Sequence, residues 1–352
     1  MRSTGPGFDS LPFLAGPREA SAPTGLSMTG WPGQEERGAG SAPLLRPDGD
    51  LADLLDTMRR LRTILACQDN MLGSGAVIPS AIQQVSILRE LSRTATGTTR
   101  HAVMDLQAAY AEFAGWLNDD LGHRGAGQQW INNALLWAHE ADNELLIAYI
   151  LLRQSQRAAE TGDTAAAVAL AQAAQRRGEL TARMRAAAAQ AEAGGHALSG
   201  DERGFTTTVA LARDLAAQAP PPTAGEWASW CTPAYIAAHE ARGWAHLGRH
   251  DRAVESYQHA LRGWPAEFHR DRGLYLSRLA HSQALTGAPE QATHTARTAL
   301  AIACGTRSAR ILAELAPVRK ALTPWRDNPR VSEFTDELTH VTLGTENGPP
   351  CA

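Results

Sequence analysis

The chain has 352 residues and a formal net charge of −4, a balance that offers nucleic acid no global basic footprint. Its four cysteines, Cys67, Cys231, Cys304 and Cys351, are too scattered for a paired-cysteine metal motif or a dense disulfide framework, and they fit a reducing compartment. No run of eighteen apolar residues and no signal-peptide core occurs, which argues against a membrane span and leads us to expect a cytoplasmic protein.

Residues 1–49 carry nine glycines and seven prolines without a sustained helical period, and this composition predicts a disordered tail. From Asp50 the pattern changes. Leu51, Leu54, Leu55, Met58, Leu61, Ile64 and Leu65 recur at three- and four-residue steps, predicting an amphipathic helix. A second helix is predicted from about Pro79 to Thr94, with Ile82, Val85, Leu88 and Leu91 on one face and the proline in its first turn.

Glycines then mark predicted helix-to-helix turns at Gly122, Gly162, Gly200, Gly248 and Gly287, spaced by 40, 38, 48 and 39 residues. The long interval contains QAPPPTAGEW, whose three prolines break any helix and suggest a loop at 219–229 between two stacks, 50–218 and 230–343. Twelve residues after four of the glycines come Ala134, Ala174, Ala260 and Ala299, equivalent positions in each second helix. A last helical pair is predicted at about Ser308–Leu322 and Pro329–Leu343, followed by a disordered tail at 344–352. Leucine and alanine dominate while valine, isoleucine, phenylalanine and tyrosine are sparse, so the expected fold is all-α.

The clearest repeat copy is AHEARGWAHLGRHDRAVESYQHALRGWP, residues 238–265, with small residues at Ala241, Gly248, Ala253 and Ala260, large ones at Trp244 and Tyr257, and a closing proline. It resembles the tetratricopeptide repeat, which implies an α-solenoid of about five antiparallel helix pairs that binds partners. Several segments, among them MRRLRTILACQDNMLGSGAVIPSAIQQV and WASWCTPAYIAAHEARGWAHLGR, are similar to the helical-repeat region of actinomycete regulators of the Cro/repressor-like (XRE-type) helix-turn-helix family. Lys320 is the only lysine, an arginine habit in keeping with a high-GC actinobacterial source. That family reads DNA with an amino-terminal helix-turn-helix, and the residues before Asp50 show no pair of short helices with a glycine turn. The resemblance therefore implies a sensor or interaction module, acting in transcription through a protein or peptide partner or a small effector, and expected as a homodimer.

In tetratricopeptide arrays the first helix of each pair lines the concave face. Projecting the register back from each turn glycine gives Glu112, Trp116, Asp119, Asp120, Tyr149 and Gln156 as groove candidates, followed by Glu160, Tyr235, Arg242, His246, Ser277 and His281. The first members are acidic and the later ones basic or neutral, a division suited to a partner segment with opposed charges. Arg270, Arg272 and Arg278 form a candidate anion site, with Asp271, Tyr275 and Arg278 on one helix face; the competing reading pairs Asp271 with an arginine inside the protein. Trp227, Trp230 and Trp244 suggest an aromatic cage, against the commoner role of filling space between alanine-rich helices.

Catalytic motifs fail. His239-Glu240 begins like a zinc-protease helix, but Gly243 occupies the position of the second histidine. Neither a GxxxxGK[ST] phosphate loop nor a GxSxG elbow occurs. The expectation is a non-enzymatic regulatory protein that needs no cofactor and no metal. Two other functions stay open on the sequence: a constitutive scaffold without a transcriptional role, and a regulator that binds DNA directly through arginines of the array.

Overall fold

In a computed structural model, which describes residues 51–223 and 225–347, the chain forms fourteen α-helices and two short 3-10 turns, with no strand among the described residues. The helices follow one another as adjacent packed pairs. The first are α1 (Leu51–Leu72) with α2 (Ser74–Thr94), α3 (Gly97–Asp120) with α4 (Arg124–Glu140), and α5 (Glu144–Glu160) with α6 (Thr164–Gln175). Next come α7 (Ala182–Leu198) with α8 (Glu202–Gln218), α9 (Pro233–His246) with α10 (His250–Arg262), and α11 (His269–Leu285) with α12 (Pro289–Thr306). The chain then adds α13 (Ala309–Ala321) and α14 (Pro329–Asn347), the latter resting on α12. Nearly all of residues 1–49 and 344–352, expected to be disordered, lie outside the described residues; α14 itself continues past Leu343 to Asn347.

One local device builds the corners. The five turn glycines all have positive φ, between 72° and 82°. The next residue returns its amide to a carbonyl five positions back: Asp163 N to Ala158 O at 3.0 Å, Asp201 N to His196 O at 2.9 Å, Arg249 N to Trp244 O at 2.8 Å. This is the Schellman closure, which satisfies helix-end carbonyls through a left-handed residue. Asp163 and Asp201 then cap the following helix, accepting from Ala166 N and Gly204 N. The same corner occurs without glycine at Asp142 (φ 52°) before the cap Asn143 and at Arg307 (φ 51°) before the cap Ser308, two turns that a search for glycine overlooks.

Close helix packing rests on small side chains. Ala134, Ala174, Ala260 and Ala299 are all buried, and so is Ala212, the matching position twelve residues after Gly200. Gly243 lets α9 approach α8 so closely that an added Cβ would lie 2.2 Å from the Phe205 ring. Trp244 takes the commoner of its two roles and fills space between helices, packing edge-on against Phe205 at 4.9 Å inside this core.

Two features place the site. Residues 219–223 and 225–232 are tied down by the buried Arg183 of α7, which donates to Cys231 O at 3.2 Å and Pro220 O and pairs with Glu226 at 3.1 Å. Helices α7 and α8 both pack on α9, so the helices on either side of that segment are in contact. The array also curls until its early and late helices meet: α1 touches α11 and α12, and α3 touches α13. At the contact Gly73 (φ 83°) sits against the Thr306 carbonyl, where an added Cβ would lie only 1.9 Å from the oxygen. The expected start of α2 at Pro79 needs correcting. The helix begins at Ser74, whose buried hydroxyl donates to Asp69 Oδ1 at 2.7 Å, and Pro79 lies inside it.

Candidate functional site

The inner faces of α3, α5, α7, α9 and α11 converge on one cavity of about 230 Å³, closed at its sides by α1, Arg310 of α13 and the 226–230 segment. The spacing explains the wall. On α9, Tyr235, His239, Arg242 and His246 follow at steps of four, three and four and share one helix face. On α5 the same steps bring in Tyr149, Arg153, Gln156 and Glu160.

The structure brings most of the projected groove together. Glu112, Trp116, Asp119, Tyr149, Gln156 and Glu160 line the cavity, as do Tyr235, Arg242 and His246. Three candidates do not. Asp120 is one position around α3 from Asp119 and points into a buried network; Ser277 is buried and donates to Gly273 O at 3.0 Å; His281 faces His250, ring centroids 6.3 Å apart. The proposed anion triad does not assemble. Arg270 is engaged elsewhere, Arg278 holds Glu314 through bonds of 2.9 and 2.6 Å, and Arg272 is not part of the wall. Asp271, Tyr275 and Arg278 do share the inner face of α11, with the Arg278 guanidinium 5.8 Å from the Tyr275 ring.

An acidic half and a basic half were expected, and the pairing corrects this. Glu112 is bracketed by Arg62 at 3.3 Å and Arg153 at 3.2 Å, Asp119 is paired with Arg157, and Glu160 with Arg310 at 2.6 Å. Arg62 comes from α1 and Arg310 from α13, so partners remote in sequence neutralise the acids. Burial opposes ionisation of Glu160 and Glu314. The arginines outweigh it, Arg310, Arg242 and Arg278 holding Glu160 at about 2 and Arg278 foremost holding Glu314 at about 2.

Beneath the cavity the two ends of the array are clasped. Arg270, 3% exposed, donates to Asp69 Oδ1 at 2.5 Å and Ser74 Oγ at 3.1 Å and pairs with Asp120 at 3.5 Å. Ser308 Oγ donates to Asp120 Oδ1 at 3.1 Å. Burial disfavours the Arg270 cation, but Asp120 and Asp69 more than compensate and raise its pKa above the ordinary arginine value.

Aromatic rings supply the apolar wall. Trp227 and Trp230 reach from the segment held by Arg183 to the rings of Tyr149 (4.8 Å) and Tyr235 (4.6 Å), and Trp230 Nε1 donates to Tyr149 Oη at 3.1 Å. Ala228 between them is buried with φ 57°, a conformation costly for a residue with a Cβ. Trp116 is surrounded by the guanidiniums of Arg153, Arg310 and Arg270 at 4.4, 5.0 and 5.2 Å. Burial, then the field of Arg242, depresses His239 well below the usual histidine range, so the ring is neutral. His246, exposed at the mouth, is pushed down to about 3 by burial of its inner edge and by Arg242 and Arg278.

No family model matches this chain, and no curated protein sequence matches it. Among the described residues no three His, Cys, Asp or Glu side chains gather as a metal site, and no helix is long and apolar enough to cross a membrane. Arg62, Arg153 and Arg310, which set the charge of the cavity, were missed in the sequence. The i, i+4 spacing of Arg153 from Tyr149 was the one local signal for any of them.

Proposed function

We propose that this chain is a non-enzymatic regulatory protein, a tetratricopeptide-like solenoid that senses a small effector in its central cavity and passes the occupancy to a protein partner acting in transcription. The observation that carries the reading is the composition of the cavity wall. Helices from the start, middle and end of the array all contribute to it, so an occupant would touch α1, α9 and α13 at once. Such a ligand couples its binding to the contact between the two ends. A volume of about 230 Å³, below the ~300–1,000 Å³ usual for drug-sized ligands, favours a small molecule over a peptide.

The test is a thermal-shift screen of the purified chain against a library of small metabolites, followed by hydrogen exchange on any hit. A ligand at a hundred times its Kd adds about 2.7 kcal/mol of stability. The expected hit raises the midpoint and increases protection in α1 and α13 together. A library with no stabilising member, or protection confined to an outer helix face, refutes the proposal.

A further inference from the structure

Among the described residues the cavity has one cation without a partner. Seven arginines line it, and six are engaged: Arg62, Arg153, Arg157, Arg270, Arg278 and Arg310 each hold a carboxylate. Arg242 has neither an ion pair nor a hydrogen bond among the described residues. The charges that act on it most are the Arg278 guanidinium and the carboxylates of Glu314 and Glu160, and those acids are already bound to Arg278 and Arg310. Arg242 is thus left without a carboxylate of its own; Asp271, a wall acid with no ion pair among the described residues, faces Arg270 and Arg310 instead. Burial and Arg278 make the Arg242 cation harder to hold than an ordinary arginine, so an arriving anion relieves a cost already present. Nearby Arg278 Nη1 and Gln156 Nε2 are buried donors without an acceptor.

Next to this corner lies a cluster of rings. On the same face of α9, one turn before Arg242, the His239 ring stacks on Tyr235 at 4.3 Å, and Trp230 covers Tyr235 at 4.6 Å. Residues 239 and 242 are about 4.5 Å apart along the helix axis, which is the reach from an aromatic ring to an acid group one carbon away. An enclosed apolar cavity of ~150 Å³ suffices for benzene, so about 230 Å³ holds one ring with a short acidic arm. Access is also provided: Arg242 lines a second, more open cleft with Asp119, Glu160, Arg310 and Glu314.

We infer that the cavity binds a small aromatic monoanion, its ring against the Trp230–Tyr235–His239 cluster and its carboxylate on Arg242. The inference deepens the effector reading and rests on it.

Titration calorimetry with three probes of one shape tests it: phenylacetate, phenylacetamide and 2-phenylethylamine, each against the full chain and against Arg242→Gln, Arg242→Lys and Trp230→Leu. Phenylacetate is expected to bind about ten- to a hundredfold more tightly than phenylacetamide, the worth of a charge-assisted hydrogen bond. Arg242→Gln should erase that ratio while leaving phenylacetamide binding unchanged, Arg242→Lys should restore part of it, and Trp230→Leu should weaken both probes alike. Without ligand, Arg242→Gln should unfold at the same temperature as the parent or higher, because it removes an unpartnered cation. A lower midpoint would make Arg242 a structural residue and overturn the assignment. Preference for the amide or the amine overturns the anion but leaves the cavity as an effector site. Failure of all three probes to bind, with a library hit still occupying the cavity, has the same meaning; failure of the probes and of the library together removes both.

Discussion

Replacing Gly73 by alanine measures how firmly the two ends of the array are docked, and Gly162→Ala provides its control. Both glycines have left-handed backbones, φ 83° and φ 80°. A residue with a Cβ pays ~1–2 kcal/mol for that conformation, offset by ~0.4–1 kcal/mol of lost freedom in the unfolded chain. Gly162→Ala meets no atom within 4 Å, so its net cost should be about 1 kcal/mol. The new Cβ at Gly73 would lie 1.9 Å from the Thr306 carbonyl oxygen and 2.9 Å from its carbon, both backbone atoms of the opposing helix end. Forcing them apart adds the ~1–3 kcal/mol typical of overpacking, for a total of about 2–4 kcal/mol. At roughly 1.5 °C per kcal/mol, from about 2.1 cal/mol/K of unfolding entropy per residue over about 300 ordered residues, calorimetry should show a loss of about 1–2 °C for Gly162→Ala. The loss for Gly73→Ala should be two to four times as large. Hydrogen exchange adds a spatial readout: Gly73→Ala should expose α1 and α2 and the end of α12, whereas Gly162→Ala should loosen only its own corner. Equal losses for the two variants would refute the docking.

Arg270→Met should cost about 3–5 kcal/mol, because it strands Asp69 and Asp120 in a buried site. Adding Asp69→Asn and Asp120→Asn should recover a large part of that loss in urea melts. Arg183→Met should cost about 2–3 kcal/mol through its lost charged hydrogen bonds, and should shift tryptophan fluorescence to the red as Trp227 and Trp230 loosen. Acidification should lower the thermal midpoint from pH 7 toward pH 5. Buried His239 takes up no proton in the folded state while the unfolded chain does so near 6.5, so its contribution is present above that pH and fades below it. Asp271, which burial raises, acts in the opposite sense, so the check is His239→Gln, expected to flatten the acid slope. The Glu160 and Glu314 contributions, with both groups held at about 2, are present above 4.5 and are lost only as the pH falls toward 2.

Several features of this protein depend on near neighbours, and those were legible in its sequence. A corner needs one left-handed residue and a cap within six positions, so Gly122, Gly162, Gly200, Gly248 and Gly287 announced themselves. Periodicity then told which face of α3, α5 and α9 looks inward, and with it Trp116, Tyr149, Tyr235 and Arg242. Asp120, Ser277 and His281 were misplaced because a helix turns its side chains by about 100° per residue, and a projection from the corner accumulates that error.

What only the tertiary structure decided is the charge state of the cavity. Glu112 looks like a free groove acid until Arg62, fifty residues earlier, folds against it, and Glu160 until Arg310 arrives from 150 residues later. Arg270 looks like an anion ligand until Asp69, 201 residues away, takes it. Sequence by itself determined the helices, their corners and their inward faces, since these are set by backbone conformation and side-chain period within a few residues. Which arginine is left without a partner was decided by the curl that brings α1 and α13 onto the inner helices, because ion pairing depends on distances that local sequence does not fix.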